Sequence, residues 1–204
     1  MLETLDAVDW GRLSDAFGPA VEVPSLLRSL VAPDDERRFQ ALSRLLETVW
    51  HQGTIYEVSS HVVPFLCEML SSPDTPDTSL PALALASLAE GTSFLEAHTL
   101  ADDQARHMWK AVLAQQGRDL DEQLASERSW VRATREAVEP HIDLLLPFLA
   151  HHEPELRYAV ASALKHYPKA GALSIPHLRS RLTKETEEHV TKAIEEALRT
   201  LEHQ

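Results

Sequence analysis

Eleven histidines in a chain of 204 residues invite a metal-binding reading first. The one His-Glu dipeptide, His152-Glu153, sets an imidazole beside a carboxylate, a donor pair that suits iron. A single copy cannot assemble a two-metal site, and His151-His152 with His166 offers only an adventitious cluster. No metal and no other cofactor is therefore expected. The lone cysteine, Cys67, lies in the apolar run Val63-Pro64-Phe65-Leu66-Cys67-Glu68-Met69-Leu70 and reads as a buried thiol rather than a nucleophile. The chain has no Gly-x-Ser-x-Gly elbow and no Gly-rich phosphate cradle. The densest grouping of polar and aromatic side chains is His51-Gln52-Gly53-Thr54-Ile55-Tyr56-Glu57. His51, Gln52, Thr54, Tyr56 and Glu57 are its candidate binding residues. The same stretch also reads as packing, with Gly53 stopping a helix and Tyr56 wedged between elements. The four tryptophans, Trp10, Trp50, Trp109 and Trp130, read as core anchors.

Charge gives the second lead. The formal balance is −13. Residues 1–100 carry five arginines, no lysine and fifteen carboxylates, a balance of −10, against −3 for residues 101–204. An acidic half repels a phosphate backbone and attracts a basic partner. Asp34, Asp35 and Asp77, in turns of this half, join the candidate binding residues. Neither nucleic acid nor membrane is an expected partner. Met1-Leu2-Glu3-Thr4-Leu5-Asp6 carries no secretory pattern, and no apolar run is long enough to span a bilayer. The expected location is the cytoplasm.

The elements that must position these residues come from a pattern that recurs four times. A short apolar helix ends in Leu, at Val23–Leu30, Val63–Leu70, Ile142–Leu149 and Ile175–Leu182. A second helix follows, with mostly small or aliphatic residues at offsets 0, 3, 4, 7 and 8. Its copies are Arg38/Ala41/Leu42/Leu45/Leu46, Leu80/Leu83/Ala84/Ser87/Leu88, Leu156/Ala159/Val160/Ala163/Leu164 and Val190/Ala193/Ile194/Ala197/Leu198. Strand signals are nearly absent. The expectation is one all-α domain over residues 1–204, a solenoid (an α-α superhelix) of about five antiparallel helix pairs. Residues 1–19 are expected to cap it, with Asp9 starting a helix that runs to Phe17. Residues 92–138 break the period and are expected to form a degenerate, elongated repeat. Pro147 should kink its helix. Asp34 or Asp35 should cap the second helix.

Glu153-Pro154-Glu155-Leu156-Arg157-Tyr158-Ala159-Val160-Ala161-Ser162-Ala163-Leu164 resembles the second helix of a HEAT repeat. In that family an acidic turn precedes an aliphatic residue and an Arg, which often bonds the neighbouring acidic turn. Arg157 occupies that place, Arg38 falls one position earlier, and Val190 is followed by Thr191 instead. Trp50–Glu57 followed by Val63-Pro64-Phe65-Leu66 is similar to a segment of uncharacterised bacterial HEAT-repeat proteins. The resemblance implies a curved stack with a concave binding face, and says little of activity. HEAT-like di-iron hydroxylases repeat their His-Glu pairs, whereas this chain has one.

These readings favour a non-catalytic protein-binding module for a basic partner. An immunity-type protein neutralising a basic toxin, and a metal-dependent hydroxylase or lyase on a HEAT scaffold, are the alternatives. If Ala159 sits at a helix–helix contact, Ala159→Leu overpacks it and should cost about 1–3 kcal/mol, measured by chemical denaturation.

Overall fold

The computed structural model describes residues 1–100 and 102–203, and over these the chain is all-helical. No strand occurs among the described residues, only isolated bridges joining Ser14 to Pro19 and Thr54 to Thr92. The ten α-helices are α1 (Val23–Ser29), α2 (Asp35–Val49), α3 (Ser59–Ser71), α4 (Ser79–Glu90), α5 (Phe94–Thr99), α6 (Asp103–Gln115), α7 (Leu120–Val138), α8 (Pro154–Leu164), α9 (Gly171–Leu182) and α10 (Glu188–Glu202).

Local chemistry sets most of their ends. Asp34 stands in extended backbone and its carboxylate accepts the Arg37 N–H at 2.7 Å, which caps α2 as its sequence suggests. Asp102 and Asp119 cap α6 and α7 in the same way. α6 stops where Gly117 turns left-handed (φ 71°), so that the Arg118 N–H reaches back to the Leu113 carbonyl at 2.9 Å.

The second-helix register defines the packing. α2, α4, α8 and α10 touch in that order, and α1, α3 and α9 pack beside α2, α4 and α10 respectively. Ala41, Ala84, Ala159 and Ala193, on these second helices, are all buried. α4 is apolar on every side, with Pro81, Ala82 and every residue from Ala84 to Ala89 buried. α10 buries one stripe only, Val190/Ala193/Ile194/Ala197/Leu198/Leu201, as suits the last helix of the row, covered by α8 and α9.

Two expectations fail, at Pro147 and Asp9. Residues 92–138 do not lie between α4 and α8, which pack directly on one another. They form α5, α6 and α7 instead, with a small apolar cluster of their own (Leu95, Leu113, Leu120, Leu124), while α7 runs back along α3 and α4. Pro147 does not kink an α-helix. Pro140 and Pro147 each remove a backbone donor, and residues 139–150 fold as two 3₁₀ turns, Glu139–Leu144 and Leu146–Ala150. Nor does Asp9 cap a helix to Phe17. Only Trp10–Arg12 is helical, and Asp9 bonds Arg12 at 3.1 Å. The N-terminal segment is nevertheless well seated. Leu2, Leu5 and Trp10 enter the main core, with Trp10 tilted against Phe65 and its indole N–H on the Leu5 carbonyl at 2.8 Å.

Two buried arginines tie the turns that lead into second helices. Arg38 donates to the carbonyls of Ala32 and Pro33, and Arg157 to those of His151 and His152, in both cases six and five residues back. The looser register of Arg38 therefore does not change its role. Arg157 also grips Glu185 with two bonds of 2.8 Å, and Glu185 further accepts Arg181 and the N–H groups of Thr186 and Glu187. The Arg157 bonds lead in holding the fully buried Glu185 carboxyl far below its usual range. A depressed folded-state value stabilises above the unfolded value of about 4.3 and loses that contribution as pH falls below it. Glu185→Gln should therefore cost about 3–5 kcal/mol at pH 7 by denaturant unfolding. The gap to the wild type should narrow by about 1.4 kcal/mol per unit once pH drops below about 4.

Candidate functional site: an aromatic cleft with carboxylates

A cleft of about 450 Å³ opens where the N-terminal loop, the Thr54–Tyr56 turn and α7 meet. Each wall follows from local structure. Asp15 closes a turn by accepting the N–H groups of Phe17 at 2.7 Å and Gly18 at 2.9 Å. That turn is fastened by Ser14, whose N–H reaches Glu57 at 3.0 Å and whose carbonyl accepts Val58 at 3.2 Å. The second wall is the Thr54 turn, pinned by paired bonds with Thr92: Ile55 N–H to the Thr92 carbonyl at 2.9 Å, and Thr92 N–H to the Gly53 carbonyl at 2.8 Å. The third wall is the face of α7 that carries Gln123, Glu127 and Trp130 at i, i+4 and i+7, with Phe94 and Arg118 at its edge.

Glu127 is 6% exposed and organises this corner. One carboxylate oxygen accepts the Ser93 hydroxyl at 2.7 Å and the Leu95 N–H at 2.9 Å, and the other accepts the Gln123 amide at 3.3 Å. It is not ion-paired among the described residues: Arg118, a cation of the cleft lining, donates to Gln123 instead. Tyr56 is half-buried in the same cleft. Burial first, then the charges of Glu127 and Asp15, push its phenol above the usual range, partly offset by a bond with Thr54. The field that disfavours a phenolate here favours a cation, and three rings, Tyr56, Phe94 and Trp130, line the same space. Phe94 is braced edge-on against Trp109 at 5.1 Å and stacked on His98 at 4.2 Å.

The sequence candidates divide. Thr54 and Tyr56 line the cleft and Glu57 fastens its rim. His51 and Gln52 line a separate shallow hollow, with His51 edge-on to Phe17 at 5.6 Å. Gly53 (φ 85°) follows Gln52 (φ 52°) in a 3₁₀ turn rather than ending α2 itself. Asp34, Asp35 and Asp77 are not brought here. They sit at the N-terminal ends of α2 and α4, and the length of α2 alone, 15 residues, puts Asp35 about 20 Å from its other end. Asp34 caps α2, Asp35 pairs with Arg38, and Asp77 accepts both N–H and O–H of Ser79, at 2.9 and 2.6 Å. All three are used in holding turns. Sequence reading missed Asp15, Phe94, Arg118, Gln123 and Glu127. The one available signal was Glu127, a carboxylate at helical spacing between the apolar Leu120, Leu124 and Val138 of α7.

No group of three or more His, Cys, Asp or Glu side chains converges in metal-binding geometry among the described residues. Among them, too, no helix is long and apolar enough to cross a membrane. His152 and Glu153 are exposed in their turn, 4.0 Å apart. Cys67 is buried, its thiol pushed up to about 11 by burial and then by Asp143. No protein-family model matches this chain, and no curated protein matches it.

The turn is held by a close approach at Gly91. A Cβ there would lie 2.3 Å from Ile55 Cδ1 and 3.2 Å from Trp50 Cδ1. Gly91→Ala should therefore lower stability by about 1–3 kcal/mol. Hydrogen exchange at the Ile55 and Thr92 amides should accelerate more than exchange in α10.

Proposed function

We propose that this chain is a non-catalytic, HEAT-like α-solenoid of the cytoplasm that recognises a basic protein. In this reading four stacked helix pairs carry one inserted three-helix arm, α5–α7, and a cationic side chain of the partner enters the cleft between arm and turn. The observation that carries it is Glu127, a buried carboxylate with hydrogen bonds but no ion pair among the described residues, set beside Tyr56, Phe94 and Trp130. A lysine or arginine head entering there would gain a charge partner and ring faces in a partly desolvated space. The formal charge of −13 supports long-range attraction of such a partner. A non-catalytic role is supported by the raised phenol of Tyr56 and the raised, buried thiol of Cys67, both poor nucleophiles at neutral pH.

The test is affinity capture from the native cytosol with the wild-type chain, followed by surface plasmon resonance on the protein identified. Raising salt should slow association, because the field is screened within about 8 Å at physiological ionic strength. Tyr56→Ala and Trp130→Ala should each speed dissociation by about tenfold or more, with Tyr56→Phe closer to wild type. A partner held equally well by all three variants, with an association rate indifferent to salt, would remove the reading.

A further inference from the structure

α7 has a second functional-looking face. Arg128, Arg132 and Arg135 lie at i, i+4 and i+7, roughly 140° round the helix from the Glu127 face. They line a separate cavity of about 360 Å³, closed on the far side by His166, Tyr167 and Lys169. Two of its cations are neutralised at the rim, Arg128 by Glu96 at 3.0 Å and Lys169 by Glu139 at 2.9 Å. Arg132 and Arg135 are not ion-paired among the described residues. Arg135 is half-buried, its Nε–H is buried without an acceptor, and its Nη2 reaches only the Gly91 carbonyl at 3.5 Å. A desolvated guanidinium with donors left over is costly unless an anion meets it. Glu136 faces the same cavity and opposes an anion, but the unpaired groups still leave one positive charge in excess. In a chain this acidic, such a pocket is not a product of average composition.

The geometry points to a binding site for the phosphate group of a small phosphate monoester, gripped by Arg132 and Arg135, with Val131 and Tyr167 against its organic part. Residues three apart on a helix are neighbours, so both guanidinium forks can reach one oxyanion. Two unpaired forks suit a doubly charged phosphate better than a carboxylate, which one fork satisfies. The cavity is larger than phosphate alone needs and falls in the range of small-molecule sites. Burial, then the charges of Arg135 and Lys165, push His166 down to about 4. It is therefore neutral at pH 7, and it reports on the pocket, because a bound anion would raise that value. This inference is independent of the proposed partner cleft.

The experiment is calorimetric titration of the full chain at fixed ionic strength with phenyl phosphate, inorganic phosphate and benzoate, with the His166 ring followed by NMR. Phenyl phosphate should bind saturably and raise the His166 pKa, with inorganic phosphate and benzoate weaker. Arg132→Gln, an exposed position, should weaken phenyl phosphate by about tenfold or more. Arg135→Gln should do the same without lowering the unfolding midpoint, since it removes an unpaired charge. Absence of saturable binding by either phosphate, or binding unchanged in both variants, overturns the site. Benzoate binding as tightly as phenyl phosphate overturns the phosphate assignment, and inorganic phosphate binding as tightly overturns the ester.

Discussion

Most of this architecture depends on the need to cover α4 on every side. A helix with buried residues all round cannot stand at an edge. It is flanked by α2 and α8 and backed by α3, and one side still requires cover. α7 supplies it. The chain leaves the row after α4, builds a short arm, and returns along α3 and α4 before the next pair begins. α4 and α8 meet directly across that excursion, and Ala84, Ser87 and Ala159 on these two helices are buried. The two clefts described above are consequences of where α7 has to lie.

α7 therefore divides two chemistries that a charge count merges. Its Gln123/Glu127/Trp130 face looks onto rings and carboxylates, and its Arg128/Arg132/Arg135 face onto a cationic pocket. The formal charge describes the far field, which governs encounter. The local fields decide what is held. Burial leads in holding the Tyr56 phenol protonated and the His166 imidazole neutral, and the charges that add to it are of opposite sign, carboxylates at Tyr56 and guanidinium and ammonium groups at His166.

The turns before the second helices show the same economy of charge. Carboxylates at Asp34, Asp35, Asp77 and Glu185 accept turn or helix N–H groups or buried arginines, so the acidity of these turns holds backbone in place. Acidic turns in a helical chain are thus weak evidence for a docking surface until each carboxylate's partner is known.

The sequence by itself determined the helical class, the four second helices, the burial of their alanines, a cap at Asp34 or Asp35 and the buried state of Cys67. These are properties of local periodicity and capping, which act within a few residues. Tertiary structure decided what rests on contacts across long separations. Nothing local in residues 92–138 says that α4 on one side of them meets α8 on the other. Thr54 and Tyr56 were legible as an unusual turn, but their cleft needs Asp15 from about forty residues earlier and Glu127 from about seventy later, brought together by α7 packing on α3 and α4. Asp34 and Asp77 illustrate the converse. Near in charge and type to the turn residues, they lie at the opposite ends of the same helices, because a rigid helix fixes that distance whatever the composition suggests.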